Sequence, residues 1–213
     1  MLHIVGTPIG NLDDFSLRAL EILQNAHVIL CEDTRQTRKL TEHFKIKTKL
    51  ISLHQHTKDE KIIKLLDKFD KVAYVSDAGT PGVSDPGGRL VELAFEKNIQ
   101  VSPIPGPSAV MAALSVCGFP ADKFEFLGFF PRKGKQKILN KIKDSSQTVC
   151  FFESPHRIIK TLEILKPEIG ERKIMIGREL TKKFETLYRG TLSQVLPEIK
   201  AKGEFVIIIS AKK

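Results

Sequence analysis

Short apolar runs alternate with helix-patterned segments almost from the first residue, and this alternation limits the possible folds of the 213-residue chain more than any other feature. "LHIVG" (2–6), "HVILCE" (27–32), "KLISL" (49–53), "KVAYVSD" (71–77) and "IQVSPIPG" (99–106) each have the length and composition of a strand. Between them lie segments with apolar residues at helical spacing, such as Leu17, Leu20, Ile22 and Leu23 in "DDFSLRALEILQNA" (13–26). Asp13 or Asp14 is predicted to cap that helix by accepting from the free N–H groups of its first turn. "TRQTRKLTEHF" (34–44), "DEKIIKLLDKF" (59–69), "RLVELAFEKN" (89–98) and "PSAVMAALSVCG" (107–118) continue the series, the last begun by a proline. Strands separated by helices indicate crossover units, hence an α/β protein with a largely parallel sheet.

A change of composition follows in "CGFPADKFEFLGFFPRKGK" (117–135), which is aromatic, then rich in glycine, proline and lysine. Beyond it, "TVCFFES" (148–154), a helix over 155–165, "KIMIG" (173–177), "LSQVLPEIKA" (192–201) interrupted by Pro197, and "EFVIIIS" (204–210) predict a second α/β unit. The expected domains are 1–116 and 117–213, with a cleft between them.

Three strand-to-helix junctions share a chemistry: "GTPIGN" (6–11), "DAGTPGVSDPGG" (77–88) and "PGPSA" (105–109). Glycine lets main-chain N–H and C=O groups approach a ligand closely, and proline sets the turn beforehand, which lowers the ordering cost. In open α/β sheets the carboxyl ends of the strands are where ligands bind. One such turn alone is merely a turn; three at one sheet edge argue for a site. The phosphate-binding pattern G-x-x-x-x-G-K-[ST] is absent, residues 76–90 contain no Lys, and "GTPIGN" lacks the third glycine of G-x-G-x-x-G. "HQH" (54–56) offers two imidazoles without a third ligand and is read as a solvated turn, so no metal is expected. In "FFESPHR" (151–157), Ser154 and His156 lie too close in sequence for a hydrolytic triad, whose partners come from distant positions; Glu153 and Arg157 as an ion pair, or Ser154 as a helix cap, are the alternatives.

Lys and Arg number 34 against 25 Asp and Glu, giving a net charge of +9. The excess is clustered in "TRQTRKL" (34–40), "PRKGKQKILNKIK" (131–143) and "GRELTKKFE" (177–185), as contacts to a phosphate track require. Cys31, Cys117 and Cys150 are odd in number and far apart, which suits small buried thiols in a reducing compartment. The N-terminus has no signal-peptide pattern and no segment approaches the ~20 apolar residues of a membrane span, so a cytoplasmic location without membrane association is expected.

Together, "VGTPIGNLDDFSLRAL", "CEDTR", "SDAGTPGVSDPG", "IPGPSA", "FLGFFPRKGK", "FFESPHR", "RELTKKFE", "RGTL" and "KGEFVIII", in this order, resemble the bacterial ribosomal RNA small-subunit methyltransferase I family of the tetrapyrrole-methylase fold group. The resemblance spans Leu2 to Ile209. It implies a two-domain α/β homodimer that uses S-adenosylmethionine to methylate the ribose 2′-oxygen of a cytidine in the decoding region of 16S ribosomal RNA. It implies further that the cofactor lies in the cleft and is lined by Pro8, Ala78, Gly79, Thr80, Val83, Ser108, Ala109 and Phe152. Two departures stand out: position 82 is Gly where the family has a bulkier apolar residue, and many relatives continue beyond the position of Lys213 into a helical extension. If that extension holds RNA, this chain relies on its basic loops or on a partner.

A ribose hydroxyl is a poor nucleophile at neutral pH, so a base, or a cation for the developing alkoxide, is expected nearby. Glu32, Asp33, Glu153 and Glu179 are the candidate bases, and Arg35, Arg157, Arg178 and Lys182 the candidate cations, all just beyond strand ends. The segment Pro131 to Lys137 is the expected clamp on the RNA backbone. Two other readings stay open: a C-methyltransferase of tetrapyrrole precursors, and a non-catalytic RNA-binding assembly protein.

Overall fold

The computed structural model describes residues 1–83 and 85–212. The chain divides into two compact units, Met1–Ser108 and Ala109–Lys213.

The first unit carries a five-stranded sheet made of β1 (Leu2–Val5), β2 (Val28–Cys31), β3 (Leu50–Ser52), β4 (Val72–Val75) and β5 (Val101–Ile104). Its order is β3-β2-β4-β1-β5, and every pairing is parallel. β2 and β4 are buried along their whole length, which is why "VILC" and "VAYV" are apolar throughout instead of alternating. Pro103 is tolerated in β5 because that strand is an edge. Helices α1 (Leu17–Asn25) and α2 (Thr34–His43) pack Ala19, Leu23 and Leu40 with Val5, Ile29 and Ala73. Helices α3 (Asp59–Lys68) and α4 (Gly87–Glu96) pack Ile62, Leu66, Leu90 and Leu93 with Leu2, Leu30 and Tyr74. The strand residues alternate between these two clusters, so the helices cover opposite faces. One local expectation is corrected: Ser16, not Asp13 or Asp14, caps α1, accepting from the Ala19 N–H at 3.1 Å. The two aspartates belong to a single 3-10 turn, Leu12–Asp14, that precedes it.

The second unit comprises α5 (Ala109–Cys117), β6 (Phe124–Phe129), α6 (Lys135–Asp144), β7 (Thr148–Glu153), α7 (Ile158–Ile169), β8 (Lys173–Arg178), β9 (Thr186–Thr191), α8 (Leu192–Val195) and β10 (Phe205–Ile209). The sheet order is β6-β7-β10-β8-β9; β6 and β7 are parallel and the other pairs antiparallel. Residues 179–185 are too few for a crossover, so β8 and β9 form a hairpin. β6, β9 and α6 are not among the elements expected from the sequence, although α6 carries Ile138, Leu139 and Ile142 at helical spacing. Both strands are sheet edges, and their half-exposed residues dilute the apolar pattern. Helix α5 buries Val110, Ala113, Leu114 and Cys117 and packs on β8 and β10. The division therefore falls after Ser108, although the composition shifts only near residue 116. All three cysteines are buried and unbridged, and burial pushes the Cys150 thiol up to about 12. None of the described helices is long and apolar enough to cross a membrane.

Candidate active site

The turns after β1, β4 and β5 leave the same edge of the first sheet from adjacent strands. After β1 the chain crosses toward β2, and after β4 it crosses the other way to β5, so the winding reverses at this edge. The turns are bonded to one another. Thr7 N–H donates to the Gly79 carbonyl at 2.9 Å, and Gly79 N–H returns a bond to the Thr7 carbonyl at 3.1 Å. Thr80 Oγ1 donates to the carbonyls of Pro107 and Gly106 at 3.0 and 3.3 Å. Gly6 and Gly106 touch backbone to backbone: a Cβ on either would come within 2.7 Å of the other. Gly106→Ala is therefore expected to force the first and third turns apart and cost ~1–3 kcal/mol in urea unfolding; an unchanged midpoint would show that the turns yield freely.

The long second turn is pinned by Asp85. Its Oδ1 accepts from the Gly87 N–H at 2.8 Å and the Tyr74 hydroxyl at 3.1 Å, and its Oδ2 accepts from the Gly82 N–H at 2.7 Å. Gly82 has φ +87, a left-handed angle that glycine adopts without the strain a side chain would bring. Asp85 was absent from the sequence-based set, although an aspartate among glycine N–H groups is a turn-holding signature. Of the expected cofactor residues, Pro8, Ala78, Gly79, Thr80 and Ser108 come together at these turns. Val83 stands exposed further along the second one. Ala109 opens α5 and Phe152 sits in β7, packed edge-on against Phe126, so both belong to the second unit.

Glu32 and Asp33 follow β2, beside the end of β4. Asp33 caps α2, accepting from the Arg35 N–H at 2.8 Å, and pairs with the Arg35 guanidinium at 2.7 Å. These contacts with Arg35 hold the Asp33 carboxyl down to about 2. Glu32 is opposite in character. Burial, then the neighbouring carboxylates of Asp77 and Asp85, push its carboxyl above the ordinary range, against a smaller opposing pull from His54. Asp77, also missed from sequence, accepts from the Asp33 N–H at 3.0 Å and so joins the ends of β2 and β4.

In the second unit, Glu153 is buried and engaged on several sides: Arg157 Nη2 at 2.5 Å, the Ser154 N–H at 2.6 Å and Thr161 Oγ1 at 2.7 Å. Arg157 also donates to the Phe130 carbonyl at 2.9 Å, tying the end of β7 to the start of the basic segment. The structure thus contains the ion pair and leaves the α7 N-terminus without a side-chain cap from Ser154. Arg178, at the same level of the sheet across Phe205, is buried and donates to the carbonyls of Lys202 at 2.6 Å and Phe184 at 3.0 Å. Glu179 accepts from Lys182 Nζ at 3.0 Å and the Glu204 N–H at 2.9 Å. Desolvation is outweighed by these bonds, so the Glu179 carboxyl is lowered and the Lys182 ammonium raised. The eight candidates thus fall into three groups: one at the first sheet's edge, one around Glu153, and one at the end of β8 and in the turn to β9. The segment foreseen as a loop to Lys137 ends earlier, since Lys135 begins α6 behind a left-handed Gly134. Among the described residues, no group of three or more His, Cys, Asp or Glu is arranged to hold a metal ion.

Two mixed or parallel α/β units, with Gly/Pro turns at a winding reversal, define a known class. The family model of the tetrapyrrole (corrin/porphyrin) methylases matches residues 1–196. A crystal structure of diphthine synthase superposes with a TM-score of 0.75 over 98% of this chain and 89% of that one, at 13% identity. Cobalt precorrin-4 methyltransferase does so with 0.72 over 98% and 94%, at 17% identity. Among sequence relatives, the ribosomal RNA small subunit methyltransferase I of Halalkalibacterium halodurans is 45% identical, covering 98% of this chain and 75% of its own length. That of Thermotoga maritima is 42% identical, covering 100% and 99%. The chain belongs to the ribosomal RNA small subunit methyltransferase I family, within the tetrapyrrole methylases.

Proposed function

We propose that this protein transfers a methyl group from S-adenosylmethionine to the ribose 2′-oxygen of a cytidine in the decoding region of 16S ribosomal RNA. The observation that carries the reading is the mutual bonding of the three Gly/Pro turns at one sheet edge, in a chain of this family. Because Thr7, Gly79 and Thr80 already tie the turns together, little ordering remains to oppose binding. Pro8, Ala78, Thr80, Val83 and Ser108 offer apolar surface and main-chain polar groups, a combination that fits a nucleoside joined to an amino acid. When bound, S-adenosylmethionine supplies an electrophilic methyl group on a sulfonium. Glu32 takes the proton of the 2′-hydroxyl, its raised carboxyl being suited to that task. Arg157, Arg178, Glu179 and Lys182 hold loops in place with the donors and acceptors described above, while Arg35, paired with Asp33, lies on the exposed surface of α2 where it meets phosphate. The family resemblance brings with it a cytoplasmic homodimer acting on the small ribosomal subunit.

The basic segment supports an RNA substrate. Arg132, Lys133 and Lys135 flank the N-terminus of α6, which has no side-chain cap and so presents its N–H groups to an anion. Charge reversal at these three positions is expected to weaken RNA binding and to reduce its salt slope by ~1 for each phosphate that is no longer neutralised, with S-adenosylmethionine affinity unchanged. Loss of cofactor affinity instead would give the segment a structural role. The function itself is tested by incubating the protein with labelled S-adenosylmethionine and either 30S particles or a tetrapyrrole precursor. Label at one cytidine ribose is the expected result; label in the tetrapyrrole, or in neither, overturns the reading.

A further inference from the structure

A hollow of about 200 Å³ lies within the first unit, between α2 and the β1 and β4 turns; it shares Pro8 with the expected cofactor residues and extends beyond them to α2. Its apolar walls include Pro8, Leu12, Leu40 and Val75. Of its polar lining, Thr7, Thr37 and Ser76 donate their hydroxyls to the carbonyls of Gly79, Asp33 and Ala78, and Gln36, Lys39 and Asp77 complete the edge. The Gln36 Oε1 accepts from Lys39 Nζ at 2.8 Å, which leaves the amide N–H₂ as the group available to a ligand. Asp77 uses one oxygen to hold the Asp33 N–H, and its carboxylate has further acceptor capacity. Apolar walls with an acceptor and a donor on one edge match a flat heterocycle that presents an amine beside an acceptor. Cytosine has that pattern; uracil places a carbonyl where the amine would be, opposite a carboxylate. The rim agrees in charge, since Arg35, Arg38 and Lys39 are exposed on α2 and can meet the phosphates on either side of a single base.

We propose that this hollow receives the target cytosine, turned out of its strand, with Asp77 accepting from the exocyclic amine and Gln36 donating to the neighbouring acceptor. The base then anchors its own ribose, and base identity is read on the first unit. The assignment rests on the RNA-methylation reading and adds a base pocket that the reading does not require. The test uses the full chain, labelled S-adenosylmethionine, and 30S particles carrying either cytidine or uridine at the mapped position. If the wild-type protein methylates no RNA, the underlying reading fails and the pocket with it. If it methylates RNA, the wild type is expected to prefer cytidine, and Asp77→Asn, which can still accept from Asp33, to erode that preference about tenfold or more. Gln36→Leu, at an exposed helix position, is expected to raise KM for the cytidine particles about tenfold or more. A pyrrolocytosine placed at the target should brighten on binding to the wild type and not to Gln36→Leu. S-adenosylmethionine affinity by calorimetry should hold in both variants. A wild type indifferent to the base, variants with unchanged KM and preference, or a parallel fall in cofactor affinity would each overturn the proposal while leaving RNA methylation standing.

Discussion

Replacing Glu32 with Gln is expected to lower kcat on 30S particles by about 10²–10⁴-fold, the range spanned by a general base. Gln keeps the shape of the side chain and removes only its ability to take a proton. The pH profile carries the sharper signature. A base works deprotonated, so kcat/KM of the wild type should rise with pH through the Glu32 carboxyl. That carboxyl is raised by burial and by Asp77 and Asp85, so the rise lies above where an exposed glutamate would put it. Asp85→Asn removes one of the raising charges and should move the rise to lower pH; Glu32→Gln should abolish it. Stability should not fall in Glu32→Gln. A carboxyl raised on folding opposes the folded state at neutral pH, and neutralising it relieves that opposition. A variant with wild-type kcat would remove Glu32 from the mechanism, and the strongly acidic Asp33 would not replace it, because its proton affinity is too low.

Arg157→Ala should unfold the second unit far more easily than any surface change. The Glu153 side chain has no solvent exposure, and Arg157 lies 2.5 Å from it. Truncating Arg157 leaves a buried carboxylate with only the Ser154 N–H and the Thr161 hydroxyl. Breaking a buried pair in this way costs about 3–5 kcal/mol, a large share of the ~5–15 kcal/mol that holds a typical protein folded. Urea unfolding measures it, and the double variant Glu153→Gln with Arg157→Met should recover much of the loss, since the uncompensated charge is then gone. A single-variant loss below ~1 kcal/mol would mean that the pair behaves as an exposed one. Because Arg157 also holds the Phe130 carbonyl, a weakening of RNA binding should accompany the destabilisation.

The parallel sheet of the first unit was legible because β2 and β4 are buried on both faces and their residues are apolar without interruption. The strands β6 and β9 were not, because an edge strand shares its exposure between core and solvent and loses the pattern. The Gly/Pro turns could be read directly, since conformational freedom and rigidity are properties of single residues. Asp77 and Asp85 lay inside the same turn and went unassigned, because what marks them is their partners: the Asp33 N–H, the Tyr74 hydroxyl and the Gly82 N–H.

What the sequence determined by itself was local: the strand–helix alternation, the three pre-bent turns, the clustering of positive charge and the family motifs. Only the tertiary structure decided which acidic residue carries a raised carboxyl, which ion pair is buried, and that the turns are tied to one another. Those properties arise from groups far apart in the chain that the order of the sheet brings to one edge, and from the burial that packing imposes on them. Desolvation and Coulomb interaction depend on distance in space, which spacing along the chain does not specify.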